Sequence, residues 1–340
     1  MITGRQILKA EANSILFLQN YLDEDNLWIS RISKYSDFSY SISILFPVFA
    51  SLDTKLGYQV LLATSTTEWA TTLLKWALAE NRPYWWIREA ASSGDALPPL
   101  RQTDITCETG PGSASSHVAG TAALLYVLVS WLLNWLGAKG AIRLLLWLLY
   151  VALVTTVGIA RVTVAAHFPH QCVLGAVVGF LLTSRLIDGK FWTWIRSATR
   201  WKTTSLALAT CAISVGAFFA HKAIGDPGWS IKLAFKWCHQ PTSAVSVQTT
   251  PIYALVRDAG AIFGLSVGSP LVERRFYPVV GAFVTSLFFV GTRLLRPMMP
   301  TNDALQFYTF HFLDHVFVSV AMLTIVPYLA ALVRIKQKRG

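Results

Sequence analysis

Apolar runs of 18 or more residues recur along nearly the whole of this 340-residue chain, and no other feature so narrows the folds open to it. Such a run matches the hydrocarbon core of a bilayer, about 30 Å thick. Charged residues make up 14% of the chain and hydrophobic ones 54%, where a soluble domain carries about 25% charged residues. A membrane β-barrel would show short alternating segments instead. The expected class is therefore an all-α polytopic membrane protein with about nine transmembrane helices. They lie near residues 28–49, 57–78, 117–136, 142–160, 168–186, 203–221, 252–269, 277–295 and 312–333. Arg31, Lys34 and Asp37 interrupt the start of the first, and Arg257 and Asp258 lie inside the seventh. The chain reads as one domain over 1–340, without repeats or low-complexity linkers, and membrane lipid is its expected surrounding.

Basic residues orient the spans. One set of loops holds fourteen: Lys55, Lys139, Arg143, Arg185, Lys190, Arg196, Arg200, Lys202, Arg274, Arg275, Arg334, Lys336, Lys338 and Arg339. Only Asp53, Asp188 and Glu273 stand against them. By the positive-inside rule that set faces the cytosol, with a tail over 334–340. The net charge of +11 is thus read as basic loops rather than as a nucleic-acid surface. The opposite side receives the 79–116 loop, the 161–167 turn and the 222–251 loop, and an odd number of spans puts the N-terminus there too. Lys336-x-Lys338-x-x at the cytosolic end has the spacing of a dilysine retrieval signal for the endoplasmic reticulum. The first 22 residues are amphipathic and lack the compact apolar core and small-residue site of a cleaved signal peptide. The four cysteines have no metal spacing. Cys107 and Cys238 fall in loops on one side, which leaves open a disulfide or two free thiols.

Three stretches on that side carry the chemistry: Lys75-x6-Arg82-Pro83, Ser115-Ser116-His117 and Arg161-x5-His167. Each alone has a bland reading: a snorkelling lysine, a capped helix start, an interfacial histidine. Together they supply three cations and two imidazoles in an apolar protein. Lys75 and Arg82 stand seven residues apart, two turns on one helical face. Gly and Pro turn the 107–116 stretch into the third span, where Ser115 or Ser116 suits an N-cap and the helix N-terminus suits an anion. Six residues is not a whole number of turns, so a helix break is expected between Arg161 and His167. Three cations can surround a phosphoryl group, one histidine can attack it, and the other can protonate the leaving oxygen. No carboxylate cluster calls for a metal, and no cofactor is expected. Tyr84-Trp85-Trp86 suits an interfacial belt or a pocket wall.

These stretches resemble the signature of the type 2 phosphatidate phosphatase superfamily: K-x6-R-P, P-S-G-H and S-R-x5-H-x3-D. Residues 75–171 span that helical core. Asn81 through Trp86, Cys107 through Ser113, Ala165 through Gln171 and Phe235 through Cys238 resemble one branch, the glucose-6-phosphatase catalytic subunits. The likeness extends from about Gln19 to the last span. It implies a site on the luminal face of the endoplasmic reticulum and hydrolysis of glucose 6-phosphate through a phosphohistidine. It assigns His167 as nucleophile and His117 as general acid and base. Lys75, Arg82, Ser115, Ser116 and Arg161 fall at phosphate-binding positions, and Gln19, Asp37 and Glu108 at sugar-binding ones. It implies cooperation with a separate glucose 6-phosphate transporter.

The chain departs from the signature at four places. Ser116 stands where the family has glycine, a cost of roughly 1 kcal/mol if that position needs positive φ. Ala114 replaces a proline and Ala160 a serine. Gln171 replaces the superfamily aspartate that orients the catalytic imidazole, a change the glucose-6-phosphatase branch shares. The alternatives are the same chemistry on another sugar or lipid phosphate, or a slow or silent relative that binds phosphate compounds.

Overall fold

The computed structural model describes residues 4–22, 27–37, 44–94, 96–103, 105–238, 247–272, 276–295 and 303–338. Arg274 and Arg275 of the basic loops, part of the 222–251 loop and the last two residues of the tail lie outside them, as do the side chains of Lys336 and Lys338. Among the described residues all regular structure is helical. An amphipathic helix α1 (Gly4–Tyr21) buries Ala12, Ile15 and Gln19 on one stripe. Two short helices follow, α2 (Leu27–Tyr35) and α3 (Phe46–Leu52). The expected first span is thus two separate helices, with 38–43 outside the described residues.

The centre of the molecule is α4 (Thr54–Leu78). Asp53 caps its start by accepting from the Leu56 amide at 3.0 Å, and it ends at Ala79 in the left-handed region. A short helix α5 (Pro83–Ser92) opens on proline, whose ring suits a first helical turn. Then come α6 (Ser116–Leu136), α7 (Gly140–Thr163) and α8 (Pro169–Ile187). After them lie α9 (Lys190–Ser197), α10 (Arg200–Ile224) and α11 (Trp229–Trp237). The chain closes with α12 (Pro251–Val267), α13 (Pro278–Leu295), α14 (Ala304–Val320), a π-helical turn at Ala321–Ile325 and α15 (Val326–Lys338).

Helix α4 packs against α6, α8 and α12, while α7 and α14 flank this core and α10 lies along α12. Lipid offers no hydrophobic drive between helices, so close approach needs small residues. Two glycine pairs at i, i+4 supply it. A Cβ on Gly175 or Gly179 of α8 would fall 2.5 Å from the Ser115 carbonyl or 2.3 Å from the Ala119 carbonyl of α6. On Gly260 or Gly264 of α12 it would fall 2.6 Å from the Phe312 carbonyl or 2.7 Å from that of Val316 on α14.

Five helical stretches are long and apolar enough to cross a membrane: α6, α7, α8, α10 and the continuous run Ala304–Val333. The chain is accordingly a multi-pass membrane protein. The other expected spans do not meet that measure among the described residues. Helix α4 has 25 residues but buries Thr64, Ser65, Thr67, Glu68, Thr71, Thr72 and Lys75. Helix α12 has 17 residues and buries Arg257 and Asp258.

The loops gather at two ends. At one, Tyr58 meets Trp192 edge-on and the Arg200 guanidinium donates to the Ser269 carbonyl at 3.1 Å. At the other lie the 79–116 loop, the 164–168 turn and the segment before Pro251, where Thr249 bonds the Thr109 hydroxyl at 2.8 Å.

Candidate active site

The site is built where four helix ends converge. Helix α4 brings Lys75 in its last turn, α6 brings His117 in its first, and α7 brings Arg161 in its last. The chain then turns sharply. Ala165 takes φ 54°, a left-handed conformation costing an L-residue roughly 1–2 kcal/mol. That turn supplies the break expected between Arg161 and His167 and lets Pro169 open α8. Ser115 occupies the N-cap of α6, yet its side chain caps nothing. The first-turn amides of α6 therefore stay available to an anion.

His167 is fully buried. Its Nδ1 lies 2.9 Å from the Gly112 carbonyl. A carbonyl only accepts, so Nδ1 carries the proton and Nε2 presents its lone pair. Nε2 lies 3.2 Å from Arg82 Nη1 and 3.8 Å from Glu108 Oε2. Burial, reinforced by the Arg82 charge, pushes the imidazole well below the ordinary histidine range, against the pull of Glu108. The ring is therefore neutral at pH 7, as a nitrogen nucleophile must be.

The group that orients His167 is thus a backbone carbonyl. Gly112 holds that place because nothing larger fits: a Cβ there would sit 2.5 Å from Gln171 Nε2 and 2.6 Å from the Asn81 carbonyl. Gln171 does not bond the imidazole. Its amide donates to the Asn81 carbonyl at 2.9 Å and to Glu80 at 3.1 Å, and its oxygen accepts from the Phe168 amide at 3.1 Å. Glu80 also accepts from Ser113 and lies 2.9 Å from His170 Nε2, while Glu11 of α1 lies 2.6 Å from Nδ1 of that ring. The His170 hydrogen bond, opposed by burial and aided by Ser113 and Gln171, holds the Glu80 carboxyl down to about 2.

Two of the three cations, Arg82 and Arg161, converge on Glu108. Arg82 Nη1 lies 2.8 Å from Glu108 Oε2, and an Arg161 guanidinium nitrogen bonds Oε1. The remaining Arg82 donors go to the carbonyls of Gly110 at 2.6 Å, Ala166 at 3.0 Å and Pro111 at 3.2 Å. Arg161 also donates to Ser33 at 2.6 Å, leaving its Nε without a partner. Burial would raise the Glu108 carboxyl, but Arg161 and Arg82 outweigh it and hold the group well below the usual carboxylate range. His117 lies 3.7 Å from Glu108 and 3.5 Å from Asp37.

Asp37, Lys75, Glu108, Ser116 and His117 line one cleft, together with Glu68, Thr72 and Arg257. The space between these side chains, open mouth included, is about 480 Å³. Gln19 does not line it. Its side chain is buried on backbone, donating to the Thr163 and Arg101 carbonyls at 2.8 and 3.0 Å. Ser116 has no left-handed backbone, so the strain that serine would suffer at a positive-φ position does not arise. Tyr84, Trp85 and Trp86 are buried rather than belted at an interface. Trp86 packs edge-on against Phe168, beside His167, and the Tyr84 hydroxyl donates to the Glu108 carbonyl at 3.0 Å. Cys107 and Cys238, left open by sequence, are joined in a disulfide next to Glu108. Among the described residues no His, Cys, Asp or Glu group has metal-site geometry.

Glu68, Thr72 and Thr249 were not singled out from sequence, and Arg257 stood out only as an interruption of a span. The available signal was Glu68, a carboxylate in an apolar run at i−7 from Lys75.

The PAP2 superfamily profile matches residues 56–195, which hold all three motifs. Glucose-6-phosphatase catalytic subunit 1 of Canis lupus familiaris is 31% identical, covering 92% of this chain and 91% of the relative. Glucose-6-phosphatase 3 of Homo sapiens is 31% identical, covering 96% and 94%. The catalytic subunit 1 of Haplochromis nubilus is 35% identical over a shorter stretch, 69% of this chain and 68% of the relative. No solved structure matches the chain significantly.

Proposed function

The chain belongs to the glucose-6-phosphatase family of phosphoric monoester hydrolases, and from that membership and the site we propose that it hydrolyses glucose 6-phosphate through a phosphohistidine on His167. One observation carries the reading: a neutral His167 whose Nδ1–H is committed to the Gly112 carbonyl, with Nε2 3.2 Å from the Arg82 guanidinium.

Nε2 attacks phosphorus as the bond to the sugar oxygen breaks, and His117, which takes up a proton as the doubly charged ester binds beside it, delivers that proton to the sugar oxygen. Neutral His117 then takes a proton from water, whose oxygen attacks phosphorus and breaks the P–N bond. Phosphate leaves and Nε2 regains its lone pair. Charge spreads over the equatorial oxygens in the transition state, where Lys75, Arg82, Arg161 and the α6 amides stabilise it. Ser115 and Ser116 border that anion site. Glu108 now holds the guanidinium groups that the phosphate needs. It yields them on binding and turns to the sugar hydroxyls, which Asp37 also meets. Gln19 acts from behind, holding the turn that leads to His167.

We place the site on the luminal side of the endoplasmic reticulum. The disulfide at the site end suits an oxidising compartment, and the basic loops gather at the other end. A doubly charged ester cannot cross the bilayer unaided, so a separate transporter must deliver it.

The test is phosphate release from glucose 6-phosphate by detergent-opened microsomes, beside His167→Ala and Arg82→Ala, with and without vanadate. Vanadate-sensitive release lost in both variants is expected. Release undiminished in His167→Ala overturns the mechanism. No release from folded wild-type protein overturns the substrate.

A further inference from the structure

Beneath the phosphate cradle the cleft has a second polar patch that the chemistry above does not use. Glu68, Thr72 and Lys75 stand at i, i+4 and i+7 of α4, one face of the helix. All three line the cleft, as does Arg257 of α12 opposite them. The face runs from the phosphate-binding end toward the helix interior, about 10 Å at 1.5 Å per residue from Lys75 to Glu68.

Glu68 and Arg257 are buried, 2% and 6% exposed. Their pairing is loose, with Arg257 Nη2 3.6 Å from Glu68 Oε2. Arg257 Nε is turned instead to Asp258, at 2.8 Å. Glu68 Oε1 has no hydrogen-bond partner. A buried carboxylate oxygen left without a donor costs roughly 1–3 kcal/mol or more. A network built only for stability would close on itself. This one is left with an unmet acceptor beside a cleft. Charge this deep in a helical membrane protein marks function by default.

We propose that Glu68, Thr72 and Arg257 form the subsite for the carbon skeleton of the substrate, and that it selects a neutral polyhydroxylated chain carrying one phosphate at its end. A substrate hydroxyl donates to Glu68 Oε1. Thr72 donates or accepts beside it, and Arg257 donates from the facing helix. Selection works by satisfaction: a hydroxyl-bearing ester meets the open acceptor, and an ester without hydroxyls leaves it buried and unpaired. The subsite deepens the proposed function and rests on it for the cradle that holds the phosphate.

The experiment compares kcat/KM for glucose 6-phosphate and for p-nitrophenyl phosphate, using the full-length chain purified in detergent. Wild type, Glu68→Gln and Thr72→Val are measured, with unfolding temperature as the control for folding. Glu68→Gln is expected to lower the hexose-to-aryl ratio by roughly tenfold or more, through the KM for the hexose phosphate, and Thr72→Val by a smaller factor in the same direction. Equal losses on both esters, with the ratio unmoved, make the patch structural and overturn the subsite. If Glu68→Gln fails to fold, the Thr72→Val ratio decides alone. A wild-type chain that turns over the aryl ester but no hexose phosphate sinks the proposed substrate itself. A wild type that prefers the hexose phosphate, with ratios unmoved in the variants, sinks only this subsite.

Discussion

Two charged clusters are buried in the protein, one around His167 and one around Arg257 on the wall of the cleft, and they are wired differently. Around His167 the groups are wired to backbone: Arg82 to three carbonyls, the imidazole to a fourth, Gln171 to a fifth. Around Arg257 the network stays open, with Glu68 Oε1 and Asp258 Oδ2 lacking partners. The wired cluster must hold one geometry through a reaction that tolerates little displacement. In the proposed subsite the open one gains its last hydrogen bonds from the substrate. Arg161 Nε and Ser115 Oγ in the first cluster also lack partners, so the contrast lies in the backbone wiring of Arg82, His167 and Gln171 rather than in complete polar satisfaction.

The sharpest way to break that contrast is Gly112→Ala. The new methyl would meet Gln171 and Asn81 inside van der Waals contact and displace the carbonyl that orients His167. A fall in kcat of about 10²-fold is expected, equal for hexose and aryl esters, because the open cluster is untouched. Single-turnover kinetics on both esters check it. Next is Cys238→Ser, which frees the loop carrying Glu108. A loss of about 2–4 kcal/mol in stability is expected, read as a lower unfolding midpoint that reducing agent no longer changes.

Glu80 tests the wiring by pH. Its carboxyl is held at about 2, below the ordinary 4.5. Its stabilising contribution is therefore complete above about pH 4.5 and disappears as pH falls toward 2. Glu80→Gln should lower the unfolding temperature at pH 7, and the gap to wild type should close in acid. The smallest effect belongs to Ser116→Gly. Serine there already has an allowed backbone, so activity should change by less than about threefold. A large gain would mean that the glycine position demands more than backbone freedom.

Much of the site was legible because its chemistry is concentrated in side chains that stand out against an apolar background. Lys75, Arg82, His117, Arg161 and His167 needed no structure to be noticed, and a spacing from Arg161 to His167 about a third of a turn short of two full turns announced a break. The glycine pairs on α8 and α12 were visible as letters, but their partners α6 and α14 were not, since the identity of a packing neighbour is not encoded in spacing. The orienting carbonyl of Gly112 was illegible for a deeper reason: a backbone oxygen has no letter, and reading Gln171 as a substitute for aspartate looked for the function in a side chain. The disulfide stayed open because two loops 131 residues apart meet only after the helices pack. Gln19 shows the converse, a polar residue readable as a sugar ligand that the fold spends on backbone.

By itself, the sequence determined a helical membrane protein and picked out the cations and imidazoles of three motifs that meet at one end of its helices. These follow from composition, periodicity and local spacing, which act within one helix or turn. Tertiary structure alone decided that a carbonyl orients His167, that Glu108 sits among the cations, and that Glu68 and Arg257 from distant helices line the same cleft. Those are relations between elements brought together by packing, and in a low-dielectric interior it is the partner, not the residue type, that sets what a polar group does.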